Sequence, residues 1–108
     1  MAHDPHYGRK SIGDIAPKLA VLTDEVLFAD VWSRTELAPR ERSIATVAAL
    51  VALNRTEQLP FHLARARDNG LGDGELAELV THLAFYAGWP CALSAINVLH
   101  KTQAEHAP

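Results

Sequence analysis

Residues 44–53 constrain the fold more than any other stretch of the chain, because nine of these ten residues are apolar and none is glycine or proline. Pro39 precedes the run, at a position that suits the first turn of a helix. A helix that is apolar on every side is typical of the buried centre of a helical protein. The four alanines of the run allow neighbouring helices to approach closely. We therefore predict a central, buried helix that begins at Pro39 and ends near Asn54.

Proline, glycine and capping residues divide the rest of the chain into four further candidate helices. Asp14 and Pro17 mark the start of the first, and Asn69 with Gly70 is a stop signal for the third helix of the chain. No segment alternates between apolar and polar residues as a strand does. We therefore predict an all-α domain of about five or six helices. Besides the central helix they lie at residues 17–32, 56–69 (cap Thr56), 73–88 (cap Asp73) and 91–102.

The size of the chain fits one domain. Its 108 residues and 11.8 kDa lie within the usual range for a single folded unit. Apolar residues make up 48% and charged residues 21%, which is ordinary for a globular protein and excludes disorder of the whole chain. We expect the domain to occupy residues 12–102. We interpret the polar residues 1–11 as a flexible N-terminal arm and residues 103–108 as a frayed C-terminus.

Charge and composition exclude several classes of protein. Ten lysines and arginines against thirteen acidic residues give a net charge of -3, so there is no basic field to bind nucleic acid. The single cysteine, Cys91, excludes an internal disulfide framework and a thiolate zinc cage. The apolar runs are shorter than the roughly 20 residues that span a bilayer, and the polar start does not resemble a secretory signal. We expect a cytoplasmic protein that binds neither nucleic acid nor membranes.

Two aromatic side chains point away from the predicted core faces of their helices. At about 100° per residue, Phe85 lies almost opposite the stripe formed by Leu76 and Val80, and Phe61 lies far from the stripe that contains Leu63. A large aromatic ring in such a position needs a second apolar environment, which another subunit provides. We therefore predict a homo-oligomer. The alternative is that both rings are half-exposed, as single surface aromatics often are.

His62 and His82 are the best candidates for acid–base chemistry, because imidazole titrates near neutral pH. Each lies beside an apolar stripe, on two helices that a short turn joins, so antiparallel packing could bring both rings into one cavity. The alternative is two separate histidines with structural hydrogen bonds. Two histidines are too few for a zinc site, even with Glu57 or Glu78, and no His-x-x-x-His pair is present. We therefore predict no metal site.

Aromatic and basic residues suggest a pocket for a small molecule. Tyr86 follows His82 by four residues, and Trp89 comes one turn later, so one helix face carries all three. Such a face fits either the wall of a ligand pocket or packing between helices. Arg34 and Arg42 could bind an anionic ligand, because guanidinium binds carboxylate through two hydrogen bonds. The alternative is a structural ion pair with one of Glu25, Glu41 and Glu57.

Cys91 follows Trp89 and Pro90 at a predicted helix start, where a thiol is more reactive than elsewhere. This position suggests a redox role. The alternative is a small buried apolar side chain, which is the common state of an isolated cysteine. The chain has no second cysteine that could resolve a disulfide.

Several short motifs, taken in their order and spacing, resemble a known family. They are Trp-Ser-Arg at 32–34, Leu-Ala-Pro-Arg-Glu-Arg at 37–42, Ala-Ala-Leu-Val-Ala-Leu-Asn-Arg at 48–55, Glu-Gln-Leu-Pro-Phe-His-Leu at 57–63, Asn-Gly-Leu at 69–71 and Thr-His-Leu-Ala-Phe-Tyr-Ala-Gly-Trp-Pro at 81–90. Together they resemble the carboxymuconolactone decarboxylase family, which belongs to the alkylhydroperoxidase D-like superfamily. The resemblance covers about residues 12–102.

The resemblance implies an all-helical fold that assembles as a trimer or as a hexamer of three dimers. It also implies a ligand pocket near His62, often at a subunit boundary. The peroxidase branch of the superfamily uses a Cys-x-x-Cys pair and an upstream glutamate. The matching positions hold Arg55, Gln58 and Ser43, so the chain resembles the branch without the pair. The chain therefore lacks the two thiols and the carboxylate that this branch uses to reduce peroxide by dithiol exchange.

The resemblance further implies a carboxy-lyase without a cofactor, of the kind used in the catabolism of aromatic compounds, that acts on a small carboxylated lactone or keto acid. His62 matches the acid–base position, and His82 would orient the substrate anion. The residues expected to contact the substrate are Arg34, Arg42, Glu57, Gln58, Tyr86, Trp89 and Trp32. Two alternatives stay open. One is a non-catalytic oligomer that binds an aromatic or quinone-like molecule, and the other is a peroxidase-type redox protein, which would have to act through Cys91 alone.

Overall fold

The regular secondary structure of the described residues is entirely helical, which confirms the predicted all-α class. This computed structural model describes residues 4–106, with side chains as far as residue 103. The chain divides into two compact units, Met1–Pro39 and Arg40–Pro108. In chain order the helical elements are α1 (Tyr7–Ile12), α2 (Pro17–Val21), a π-helical segment (Leu22–Phe28), a 3₁₀ turn (Val31–Ser33), α3 (Pro39–Ala52), α4 (Leu59–Asp68), α5 (Asp73–Ala87) and α6 (Trp89–His106).

In the N-terminal unit, the helix predicted at residues 17–32 is instead three consecutive segments. α2 begins at Pro17, whose fixed φ suits the first turn of a helix. The chain then widens into π-helical turns, in which the N–H of Ala29 donates to the carbonyl of Asp24, five residues earlier, at 3.1 Å. Asp24 is bonded through its side chain to α1. The prediction of one regular helix was therefore wrong. The contact between Asp24 and α1 is a tertiary interaction, and local helical spacing does not predict such an interaction.

α1 lies almost entirely within residues 1–11, the segment interpreted above as a flexible arm, and ends at Ile12; no helix was predicted there. The carboxylate of Asp24 accepts hydrogen bonds from the N–H groups of Gly8 and Arg9, the second at 3.0 Å. Gly8 is buried, and a Cβ at this position would lie 2.7 Å from the carbonyl oxygen of Ala20. Only glycine therefore permits this close approach. The first three residues of the predicted arm lie outside the described residues, and the mobility of the arm stays a prediction.

α3 is the predicted central helix of the C-terminal unit, but only one stripe of it is fully buried. Ser43, Val47 and Val51 recur at a spacing of four residues and form this stripe. Ala49 and Leu53 are exposed in the chain. The prediction of a helix buried on every side was therefore wrong for the single chain. The other helices of the unit cover one stripe of α3 and not its whole circumference.

α4 begins at Leu59, three residues after the predicted cap Thr56, and Gln58 is its N-cap residue. The intervening residues form a turn instead. Pro60 therefore lies in the first turn of the helix, where a backbone N–H would have no helical partner. After the other end of α4 the chain turns at Gly70 with a φ of 98°, a conformation that favours glycine. The predicted stop signal is confirmed.

α5 begins at Asp73, so the predicted cap is the first helical residue and Gly72 is the N-cap. The N–H of Gly72 donates to Oε1 of Glu75 at 3.0 Å. Asp73 has a different partner, because its Oδ1 accepts from Nε of Arg67 at 2.8 Å. Nη2 of the same arginine donates to Oγ1 of Thr102 at 3.1 Å. The Arg67 guanidinium therefore joins α4, the start of α5 and α6.

α6 is longer than predicted. It follows Gly88, whose φ of 100° ends α5, and it runs from Trp89 to His106. The backbone is thus helical through residues 103–106, within the predicted frayed end, and residues 107–108 lie outside the described residues. None of the helices in residues 4–106 combines the length and apolar character needed to cross a membrane.

Both α4 and α5 pack against α6 in the C-terminal unit. The side chains buried between the helices form one apolar cluster, and the burial of apolar area is the main favourable contribution to folding. The members of this cluster are Val47, Val51, Leu59, Leu63, Ala66, Leu71, Leu76, Val80, Ala84, Ala92, Ala95 and Leu99.

Candidate active site

His62 lies on α4 at the edge of the core stripe. Leu59, Leu63 and Ala66 form that stripe and are buried, which fixes the rotation of the helix about its axis. The side chain of His62 is half-buried, and its ring packs edge-to-face against Phe61, with the ring centroids 5.0 Å apart and the planes at 86°. The imidazole therefore stands in a partly apolar environment with limited access to water.

This environment controls the charge of the imidazole. Burial lowers the pKa of His62 from 6.5 to about 4, and the positive charge of Arg65 acts in the same direction. At neutral pH the ring is therefore uncharged, and an uncharged imidazole has one nitrogen that can donate a hydrogen bond and one that can accept. An anion beside the ring would raise this pKa again, because opposite charge favours the protonated form. A ring in this setting can take up a proton when an anion binds.

His82 has a different environment. Its side chain is exposed on α5 and lies against Tyr86, with the ring centroids 4.9 Å apart and the planes at 33°. It also lines a cavity of about 430 Å³ between α3 and α5. His62 is not among the residues that line this cavity, so the structure does not bring the two histidines together there. The lining residues are Arg40, Ile44, Leu71, Glu75, Glu78, Leu79 and His82.

The predicted aromatic residues fall into two environments. Tyr86 and Trp89 are 78% and 57% exposed, and Phe85, at 74%, is exposed beside them. The rings of Phe85 and Trp89 meet edge-to-face, with their centroids 5.7 Å apart. We call these three residues the aromatic face. Trp32 is instead buried in the N-terminal unit, where its ring lies 6.3 Å from that of Phe28.

The predicted polar contacts to substrate are spread over both units. Arg34, in the N-terminal unit, is exposed and forms a loose ion pair in which its Nε lies 3.6 Å from Oε1 of Glu36. Arg42, in the C-terminal unit, is half-buried on α3. Glu57 and Gln58 are exposed in the turn before α4. Their part in substrate binding stays a prediction.

Cys91 is half-buried in the first turn of α6. Its side chain is therefore partly exposed to solvent and is not a fully buried member of the core. Among the described side chains, residues 4–103, no three or more His, Cys, Asp or Glu residues are placed to hold a metal ion together. A redox role for the thiol stays a prediction.

Two features of the structure were not predicted from the sequence, a half-buried arginine near His62 on α4 and a cavity in the N-terminal unit. Arg65 is half-buried on α4 and follows His62 by three residues, a spacing that the sequence already displays. The second feature is a cavity of about 500 Å³ in the N-terminal unit, which depends on α1 and therefore had no local signal. It contains none of the predicted site residues, and its polar lining consists of His6, Arg9, Asp24 and Glu25.

The fold and the site define an all-helical protein with a half-buried, uncharged histidine on α4. The sequence profile of the carboxymuconolactone decarboxylase family matches residues 17–101. The chain belongs to this family, as the motifs predicted.

Two relatives carry the name of a decarboxylase. The chain is 39% identical over 71 residues to 4-carboxymuconolactone decarboxylase of Acinetobacter baylyi, a match that covers 66% of the chain and 53% of the relative. It is 32% identical over 81 residues to a nitrosuccinic acid decarboxylase of Metarhizium robertsii, with 75% of the chain and 57% of the relative covered. The matches thus span little more than half the length of these relatives.

Proposed function

We propose that the chain is a carboxy-lyase of the carboxymuconolactone decarboxylase type, which acts on a small carboxylated lactone or keto acid without a cofactor. The observation that carries the proposal is the half-buried imidazole of His62, whose surroundings keep it uncharged until an anion approaches. The names of the two relatives support the reaction type. His62 is the acid–base residue of the proposed reaction.

The proposed reaction couples loss of carbon dioxide to transfer of one proton. The substrate carboxylate binds beside His62 and raises the pKa of the imidazole, which takes up one proton from the buffered solvent. The bond between the carboxylate carbon and its neighbour then breaks, and its electron pair is delocalised into the adjacent electron acceptor of the substrate, which forms an enolate-type anion. The imidazolium gives its proton to a carbon of this anion. One carboxylate and one proton thus become carbon dioxide and a new C–H bond, and His62 returns to its uncharged form.

The electron pair left by carbon dioxide needs an acceptor next to the reacting carbon. The carbonyl of a lactone or a keto acid is such an acceptor, and so is the nitro group in nitrosuccinic acid, on which one relative is named to act. A positive charge or a hydrogen-bond donor near the acceptor oxygen lowers the barrier, because negative charge develops there. Arg42, half-buried on α3, is our candidate for this role within the C-terminal unit.

The test of this proposal is a direct assay of the full chain. The protein is incubated with 4-carboxymuconolactone, with nitrosuccinic acid and with a β-keto acid, while carbon dioxide release and product formation are followed by NMR. We expect turnover of at least one of the three substrates above the uncatalysed rate. A folded chain that converts none of them would contradict the proposal.

We also propose that the chain forms a homo-oligomer, a trimer or a hexamer, through the aromatic face. Phe85, Tyr86 and Trp89 are all more than half exposed in the single chain, and Leu93 extends the same apolar surface along α6. Contiguous exposed apolar surface of this kind is typical of protein interfaces, in which aromatic residues are enriched. The mass of the protein in solution, measured by light scattering, tests this assembly.

Ligand binding without turnover is the second candidate function. The cavity beside His82 favours it, because Ile44, Leu71 and Leu79 give that cavity an apolar lining with charged groups nearby. Thermal-shift measurements with aromatic carboxylates and quinones separate the two functions. Ligands that raise the melting temperature and are recovered unchanged, with no substrate turned over, would favour binding alone.

A further inference from the structure

Arg65 and His62 share one side of α4. At a spacing of three residues, two side chains on a helix are about 60° apart around the axis, and their Cβ atoms are about 5–6 Å apart. Both side chains are half-buried. The charge of Arg65 also acts on the imidazole, where it opposes protonation. A guanidinium and an imidazole therefore stand next to each other at the edge of the core.

The other arginine of α4 has a structural task. Arg67 is five residues from His62, about 140° away around the helix axis. Its side chain is 8% exposed, and its guanidinium bonds to Asp73 and Thr102. Arg65 is therefore the arginine of α4 that shares a face with the imidazole.

The environment of Arg65 suits an anionic ligand. Burial lowers the pKa of Arg65, and the charge of Asp68 acts in the opposite direction. The guanidinium is nevertheless charged at neutral pH, as arginine is throughout proteins. A partly desolvated cation gains from an anion on its buried side, and guanidinium binds carboxylate through two parallel hydrogen bonds. Asp68 itself is exposed.

We propose that Arg65 binds the substrate carboxylate beside His62, and that this contact selects anionic substrates and prepares the imidazole for proton transfer. The inference rests on the proposed decarboxylase function and assigns it a carboxylate-binding residue. A carboxylate between the two side chains offsets the field of the guanidinium at the imidazole and attracts a proton onto the ring. Arg65 thereby couples occupancy of the site to protonation of His62.

The experiment is an NMR titration of the His62 ring in the full chain, with and without succinate. Succinate is the probe because it is a dicarboxylate with no electron acceptor that would permit decarboxylation. In the wild type we expect saturable binding and a higher pKa of His62 in the bound state. In Arg65→Gln we expect the Kd for succinate to rise about tenfold to a hundredfold, and the shift in the pKa of His62 to be lost.

Two further variants make the comparison specific. Arg65→Lys keeps the positive charge but cannot form the two parallel hydrogen bonds of a guanidinium with a carboxylate. It should therefore bind succinate with an affinity between those of wild type and Arg65→Gln. Lys101→Gln removes an exposed positive charge from α6 and should bind succinate like the wild type. If Arg65→Gln does not fold, as judged by circular dichroism, the comparison of Arg65→Lys with Lys101→Gln decides the question.

The outcomes separate this inference from the proposed function. Equal succinate affinity in the wild type and the Arg65 variants, or no succinate binding at all, overturns the role of Arg65, even where the decarboxylation assay is positive. Succinate binding that depends on Arg65, in a chain that turns over none of the assay substrates, supports the carboxylate site and contradicts the proposed reaction.

Discussion

Nε of Arg67 donates to Oδ1 of Asp73 at 2.8 Å, a bond that connects α4 with the first residue of α5. The guanidinium is almost fully buried, whereas the carboxylate is partly exposed. A second bond, to Thr102, extends the connection to α6. A buried cation with two hydrogen-bond partners is costly to disturb, because its removal leaves those partners without their donor.

Arg67→Met should therefore destabilise the chain. It keeps much of the apolar stem but removes both hydrogen bonds, so we expect the free energy of unfolding to fall by about 1.5–3 kcal/mol. Arg40→Met is the matched control, because its ion pair with Glu75 is exposed on both sides and should contribute at most about 1 kcal/mol. Urea denaturation of the three proteins measures both effects. Equal losses in the two variants would contradict the structural role of Arg67.

The sequence predicts the C-terminal unit better than the N-terminal unit, for a physical reason. In the C-terminal unit the helix ends are local signals, since Gly70 and Gly88 adopt positive φ where glycine is favoured. In the N-terminal unit, α1 depends on bonds between Asp24 and the backbone of Gly8 and Arg9. Those partners are 15 and 16 residues apart along the chain, beyond the reach of helical periodicity.

The candidate site shows the same division. The spacing of His62 within α4 and the exposure of Phe85 follow from the helical wheel, and both are readable in the sequence. The separate surroundings of His62 and His82 cannot be predicted from the sequence, because they depend on how each helix packs against α6. Burial, which decides the charge of His62, is likewise a tertiary property that composition and spacing do not contain.

The stability of the chain should depend on pH through His62. The pKa of this ring is about 4 in the folded chain and 6.5 in the unfolded reference, so between these values the unfolded chain binds more protons. The contribution of the uncharged His62 ring to the free energy of unfolding is therefore fully present above about pH 6.5 and is lost as the pH falls towards 4. At 1.36 kcal/mol per pKa unit, the upper bound on this contribution is roughly 3 kcal/mol. Because the His62 ring is partly exposed to solvent, we expect a contribution of about 1–2 kcal/mol.

Urea denaturation at pH 7 and pH 4.5 tests this dependence. Wild type should lose more stability between the two pH values than His62→Gln, which has no titrating ring at this position. His100→Gln, an exposed histidine on α6, is the control and should behave like the wild type. If His62→Gln and wild type showed the same pH dependence, the buried, uncharged state of His62 would be refuted.

The aromatic face should govern the oligomeric state. Phe85 is 74% exposed in the single chain, so Phe85→Asp removes little intrachain packing but places a charge on the proposed interface. We expect a lower mass by light scattering and helical content, by circular dichroism, close to that of the wild type. His100→Asp adds the same charge at an exposed position on α6 and should keep the wild-type mass. An unchanged mass in Phe85→Asp would remove the aromatic face from the proposed interface.

Substitution of His62 should affect turnover far more than substitution of His82. His62→Gln removes the proposed proton donor, and loss of such a group lowers kcat by about 10²- to 10⁴-fold. His82→Gln changes a ring that lines a separate cavity against α3, so we expect less than a tenfold loss. Steady-state kinetics on the substrate with the highest turnover measure both effects, with His100→Gln as the control. A loss in His82→Gln equal to that in His62→Gln would mean that the two imidazoles act in one site, although His62 does not line the cavity that His82 lines.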